Sequence, residues 1–354
     1  MSNKQKPLHR GLCTLGACLA LSACGGGGGT SQDAAATAAA PPAPAALTPQ
    51  LNRAQLLTVA AGIYHDVLRG ESLALAGLST YEGLPPYLTP ARQNWICGGA
   101  GSLTVAAADA NVAAALDAGD AISMQFNQCR IDASAQAPTL DGQQAFAVAS
   151  ASGAPVSMGT WSARMTTTWT DLRSSSSASL MASALNGAMT FDMARNGVDV
   201  NVTATAASLT QADVLTSAIA GLPSGSALTT LEFAAYTATS SVNADRRQIS
   251  VQGRLVYRQP TQPNSSPVTA TYTTLAPFIA TFSRTPVSGI VQVQAASWRG
   301  VAVNGQVILG VGFPGLTTFR WTVLDALSVR LDTDENSDGV NESSHVFTFA
   351  ELAQ

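Results

Sequence analysis

Between Ser102 and Val323 the apolar residues of this chain recur at every second position, and that period limits the folds open to it more than any other feature. Val198-Asp199-Val200-Asn201-Val202-Thr203, Ile249-Ser250-Val251, Leu255-Val256-Tyr257, Ile290-Val291-Gln292-Val293 and Phe319-Arg320-Trp321-Thr322-Val323 are β-branched or aromatic and mostly alternate, as strands with one buried face do. Parallel winding needs helical segments between strands. Only Thr210 to Ala220 offers one, with Thr210 and Asp213 placed as a capping box and Gly221 as a stop. The expected fold is therefore mainly β: a large curved antiparallel sheet or half-barrel with one or two helices packed on it. A β-sandwich is the alternative.

A glycine recurs in a fixed local setting: Leu140-Asp141-Gly142, Leu185-Asn186-Gly187, Val251-Gln252-Gly253, Val287-Ser288-Gly289 and Val303-Asn304-Gly305. Its spacing is irregular, which excludes a fixed-period solenoid or propeller. Glycines at the starts of strands or at bulges bend a sheet, and that is the expected use here.

One amphipathic helix is predicted over residues 50–69. Thr48-Pro49 supplies an N-cap and a first-turn proline, Leu56, Val59, Ile63 and Val67 recur at helical spacing, and Gly70 offers a stop. His65 and Asp66 lie on it as neighbours, about 100° apart around the axis, so they do not converge on one atom and read as structural or solvated groups.

Ahead of that helix, Lys4, Lys6 and Arg10 precede an apolar run, Gly11 to Ala23, too short to span a bilayer, and small residues lead to Cys24. Leu21-Ser22-Ala23-Cys24 resembles the lipobox of bacterial lipoproteins. The resemblance implies removal of residues 1–23, diacylglycerol on the Cys24 sulfur and an acyl chain such as palmitate on the new N-terminus. Leu15-Gly16-Ala17-Cys18 has the same local form, but cutting there would leave an apolar run of only about seven residues. Gly25 follows Cys24 where an Asp in that family signals inner-membrane retention, so the expected address is the outer membrane, on the periplasmic side or at the cell surface. Residues 24–48 are Gly, Ala, Pro and Thr with almost no large apolar side chain, a tether with a reach of roughly 25–30 Å. Residues 49–354 then form a single β-rich domain.

Removing residues 1–23 takes away Lys4, Lys6 and Arg10 and no acid, leaving 15 of 18 basic residues against 22 acids and a formal charge of −7 in place of −4. No lysine follows Lys6 and no basic stripe exists to neutralise phosphates, so nucleic acid is not an expected partner. The expected partners are the membrane, through the N-terminal lipid, and a lipid or an envelope protein. A transmembrane barrel would also alternate in this way. Against it stand the lipid anchor and a C-terminal Glu351-Leu352-Ala353-Gln354 without a terminal aromatic.

Cys97 and Cys129 are the cysteines left in the domain, and an oxidising compartment joins such a pair. Midway between them, Asp109 to Asp120 can turn, flanked by Leu103-Thr104-Val105 and Ile122 to Phe126. A disulfide closing the open end of that hairpin is expected, and it lacks the Cys-x-x-Cys spacing of redox chemistry.

Cys97-Gly98-Gly99, Leu116-Asp117-Ala118-Gly119-Asp120, Phe126-Asn127-Gln128-Cys129 and Leu140-Asp141-Gly142 together resemble a set of uncharacterised outer-membrane lipoproteins of proteobacteria. The likeness covers about 45 residues and an acidic segment near the C-terminus, and it implies a shared scaffold without a transferable activity. In that segment Asp334, Asn336 and Asp338 alternate before Gly339, like the start of a calcium loop, with Asp332 or Glu342 as further ligands. Position twelve from Asp334 is His345 where an EF-hand has Glu. Two readings stand: a structural calcium site at Asp332, Asp334, Asn336, Asp338 and Glu342, or an acidic hairpin turn that uses Asp, Asn and Gly for their conformations.

No catalytic residue is assigned. His65 and His345 are the histidines of the mature chain, and no Gly-x-Ser-x-Gly elbow, His-Glu-x-x-His pair or phosphate-cradling glycine loop occurs. The expected function is a non-catalytic binding or structural role in the cell envelope. One alternative is a carrier holding an acyl chain or other apolar ligand near Phe278, Ile279, Phe282, Phe313 and Trp321. The second alternative is an envelope hydrolase built on paired carboxylates.

Overall fold

The structure, a computed structural model, describes residues 51–353 apart from 89–93, 111–114, 131, 133, 135–136, 176–180, 217–223, 225, 261–265, 282–284, 299–301, 304–305 and 308–310. The signal segment, Cys24, the tether, Thr48-Pro49, Gly221, Phe282 and Gly305 lie outside the described residues.

Helix α1 (Arg53–Gly83) is followed by a 3-10 turn, Pro85–Leu88, and then by strands. These are β1 (Asn94–Ile96), β2 (Ala100–Ala108), β3 (Ala121–Arg130), β4 (Thr139–Ser152), β5 (Thr160–Ser175), β6 (Met181–Asn196), β7 (Asp199–Leu215) and β8 (Ala227–Val242). The second half holds β9 (Arg247–Arg258), β10 (Val268–Ala280), β11 (Pro286–Trp298), β12 (Ala302–Val303), β13 (Gln306–Val307), β14 (Val311–Val323), β15 (Ser328–Asp334) and β16 (Ser343–Thr348). A helical turn, α2 (Phe349–Leu352), ends the described chain. All strands but β12 and β13 form one 14-stranded antiparallel sheet in chain order, and β12 pairs with β13 as a separate ribbon. The sheet is open, with β1 and β16 at its edges. The curved-sheet expectation holds and the sandwich alternative does not.

Alternation sets which face is buried. Along β5, Trp161, Ala163, Met165, Thr167 and Trp169 point inward while Ser162, Arg164, Thr168 and Thr170 are exposed. The inward side chains of β2 to β11 and β14 to β16 and the apolar face of α1 make one large core, with Ala182, Ala184 and Val214 as a small separate cluster.

The recurring glycines curve this sheet. Gly142, Gly187 and Gly253 lie within β4, β6 and β9 with φ of 108°, 115° and 121°, beside register shifts in the neighbouring strands. The residue before the glycine joins in. Asn186 Oδ1 accepts the Asp171 N–H at 2.7 Å, and Asp141 Oδ1 accepts the Gln128 N–H at 3.2 Å. Asp171 and Gln128 are the bulged residues of the preceding strands, at φ of 45° and 48°. The side chain thus satisfies the backbone donor that the bulge removes from the ladder.

Two helix expectations are corrected. First, α1 is 31 residues long, runs through Gly70 to Gly83, and is capped at Asn52, whose side chain accepts from Gln55 N while Gln55 Oε1 accepts from Asn52 N. Gly70 is a packing residue: a Cβ there would meet the Tyr236 hydroxyl and Val251. Second, Thr210 to Leu215 continue β7. Asp213 does not cap a helix; its carboxylate accepts the Thr229 hydroxyl of β8 at 2.6 Å.

Candidate functional site

Helix α1 crosses the strands inside the curve of the sheet, and its contacts run backward through the strand order. Tyr64 stacks on Trp321 of β14, Asp66 meets Tyr272 of β10, Glu71 meets Arg247 of β9, and Tyr81 meets Trp161 of β5. Three acids on this helix carry its buried polar chemistry. The buried Asp66 accepts the Tyr272 hydroxyl at 2.6 Å and Arg69 at 3.1 Å, Glu71 pairs with Arg247 at 2.9 Å, and Glu82 pairs with Arg195 at 2.7 Å. A buried carboxylate persists only when so partnered.

This set does not resemble a catalytic constellation. Burial holds the Tyr236 phenol well above its ordinary value, the Asp66 charge adding to the effect and Arg69 opposing it. Tyr64 is raised by burial as well, against Arg247. Each of the three helix acids faces a cation or a phenol. The arrangement fastens α1 to the sheet. His65, which sequence places beside Asp66, is exposed and lies against the Tyr64 ring instead.

Between the second half of α1 and strands β4 to β6, the gap lined by Leu73, Gly77, Thr80, Gln144, Thr167, Trp169 and Phe191 has no room for a water molecule. Of the residues named for an apolar ligand, Phe278 and Trp321 are fully buried and in edge-to-face contact, and Phe313 packs against Phe319. They are core.

The acidic segment forms the turn between β15 and β16. Asp334, Asp338 and Glu342 bring carboxylate oxygens within 4.8 Å of one another. Asp332 is outside that group and accepts Ser344 Oγ at 2.6 Å and Arg330 Nε at 2.9 Å, while beside the cluster Asn336 Nδ2 donates to Asp338 and Asn336 Oδ1 accepts the Asp338 N–H. The clustered carboxylates already accept backbone donors of the same turn. Asp334 takes the N–H groups of Asp338 and Gly339, Glu342 takes that of Glu335, and Asp338 takes that of Val340. The Asp338–Val340 bond is an Asx turn, and the others tie the two ends of the loop together.

Cys97 and Cys129 form a disulfide with their Cα atoms 5.4 Å apart, closing the β2–β3 hairpin at its open end. At the other end Asp120, buried, accepts the N–H groups of Ala110 at 2.8 Å and Asp117 at 2.7 Å, bracing the turn. Tyr81 lies near these acids, and burial, then Asp117 and Asp120, push its phenol up to about 12. Sequence reasoning missed Glu71, Tyr272, Arg247, Glu82 and Arg195. The available signal was a set of isolated acids on an apolar helix. Comparison with known protein families, curated proteins and solved structures gave no match.

Proposed function

We propose that this chain is an acylated outer-membrane lipoprotein whose β domain has a non-catalytic binding or structural role in the envelope, on the periplasmic side or at the cell surface. The observation that carries it is Leu21-Ser22-Ala23-Cys24 at the end of a short apolar run, followed by a Gly/Ala/Pro segment that gives way to the capped helix at Asn52. No helix among the described residues is long and apolar enough to cross a membrane. Acyl chains on Cys24 supply the attachment in this reading. Phe278 and Trp321, which the carrier alternative would use, pack on each other in the core, and the acids of α1 hold structural partners.

Fractionation of expressing cells tests the proposal. The natural chain is expected in the membrane fraction with labelled palmitate incorporated, and Cys24→Ser in neither state. A Cys24→Ser chain still membrane-bound to the same extent would overturn it.

A further inference from the structure

The inward side chains of β9, β10, β11 and β14 belong to the core, so the alternate positions form the outer face of these four strands. Register fixes which of them are neighbours. One row across the strands is Gln252, Thr273, Gln292 and Arg320, and the next is Arg254, Thr271, Gln294 and Thr318. These positions hold arginine, glutamine and threonine, with no acid and no apolar side chain. A polar outer face is ordinary for an antiparallel sheet with one side in water. Charge sets this one apart. Arg164, Arg173, Arg258 and Arg330 of the same sheet each stand against an acid, whereas the exposed Arg254 and Arg320 have no ion-pair partner among the described residues. The flanking strands do not neutralise them. On β8 the cross-strand neighbours are Ala234 and Thr237. On β15 they are Asp332 and Asp334, both buried and already bonded, Asp332 to Arg330 and Ser344, Asp334 to the N–H groups of Asp338 and Gly339. In a chain with 22 acids against 18 bases, this stretch of the outer face is locally cationic.

We propose that this patch binds a polysaccharide that carries a carboxylate on some of its sugars and none on the others. The inference rests on the binding role given above and not on the lipid at Cys24. Spacing selects the partner. Arg254 and Arg320 lie three strands over and two residues along from one another, about 16 Å by strand geometry. Nucleic acid carries a charge every ~3.4 Å along each strand and would leave most of its phosphates unmatched here. A glycan with spaced carboxylates sets one charge at each arginine, whose planar fork takes a carboxylate through two hydrogen bonds. Its neutral sugars then meet the glutamines and threonines in between, whose amides and hydroxyls donate and accept as sugar hydroxyls do. Those groups are available. Within the patch Gln294 Nε2 donates to Thr318 Oγ1 at 3.3 Å, while the Gln252 and Gln292 amides make no hydrogen bond among the described residues. With no apolar side chain in the array, an apolar helix or a lipid surface has nothing to bury there.

The test is calorimetric titration of the full chain with hyaluronate, in which one sugar of each pair carries a carboxylate. The natural chain is expected to bind hyaluronate, to bind the denser polyanion heparin more weakly, and to ignore neutral dextran. Arg254→Gln with Arg320→Gln is expected to raise the Kd about tenfold or more. Arg164→Gln with Arg173→Gln removes the same charge from positions paired to Asp192 and Asp171, and is expected to raise it by less than about twofold. Gln292→Ala with Gln294→Ala leaves the charge unchanged and is expected to raise it about threefold. All these side chains lie on the outer face, and matching circular dichroism spectra show that each variant is folded. A natural chain that does not bind hyaluronate, equal weakening by the two arginine pairs, or polyglutamate or heparin bound as tightly as hyaluronate overturns the proposal. Palmitate incorporation into the same natural chain separates the two readings. Label without glycan binding overturns the patch and leaves the anchor standing, and glycan binding without label does the reverse.

Discussion

The phenol of Tyr272 donates a 2.6 Å hydrogen bond to the carboxylate of Asp66, fixing the middle of α1 to β10 across 206 residues of chain. Asp66 is 4% exposed and also accepts from Arg69, so loss of the phenol takes one donor from a buried carboxylate. Tyr272→Phe is expected to lower stability by about 1–3 kcal/mol, read by urea denaturation. Tyr272→Phe as stable as the natural protein would mean that this contact does not hold the helix.

Close approach of α1 to the sheet depends on residues without a side chain. A Cβ at Gly62 would lie 2.8 Å from the Trp298 indole nitrogen, and one at Gly77 would strike the Phe191 ring, whereas one at Gly83 meets nothing within 4 Å. Gly77→Ala is therefore expected to destabilise by about 1–3 kcal/mol despite the better helix propensity of alanine. Gly83→Ala is expected to be neutral or to stabilise by up to about 1 kcal/mol. Thermal unfolding of the pair checks the contrast.

The Cys97–Cys129 bridge spans 32 positions of chain. Its removal by a double Cys→Ser substitution is expected to cost about 3–4 kcal/mol through the freedom returned to the unfolded chain. Chemical denaturation of the oxidised protein and of the double variant measures the difference.

Glu351 is held below the ordinary carboxylate range by the backbone N–H of Thr348, then by Arg53. Its contribution is present above the unfolded-state value and is lost as pH falls through the lowered folded value. Asp325, lowered by the Leu327 N–H and Ser328, behaves likewise. Glu82 is raised by burial against Arg195, so its contribution is greatest at low pH and is lost as pH rises through the raised value. Stability measured from about pH 6 down to about pH 3 is expected to fall less steeply in Glu351→Gln than in the natural chain. Parallel curves would contradict this assignment.

Strands were legible where one face is buried, because period two survives any detail of packing: Phe319-Arg320-Trp321-Thr322-Val323 falls wholly within β14. The bulge glycines were legible from Asp141-Gly142 and Asn186-Gly187, since few residues other than glycine tolerate φ near 110°. Glycine misled at position 70, where it makes room for Tyr236 and does not end a helix, because sequence does not say what lies against it. Thr210 and Asp213 misled for a related reason: a side chain able to cap a helix serves equally to bond Thr229 on the next strand. The acidic segment was legible as a turn, but which of its oxygens converge depends on the β15–β16 register, which turns Asp332 toward Ser344. The pairs Glu71–Arg247 and Glu82–Arg195 join residues far apart in the chain, and nothing local announces them.

Mass analysis of the exported protein, extracted from membranes without proteolysis, addresses the anchoring claim most directly. The expected result is a polypeptide beginning at Cys24 and heavier than its sequence by one diacylglyceryl group and one acyl chain. An N-terminus other than Cys24, or a Cys24 thiol without lipid, would contradict it.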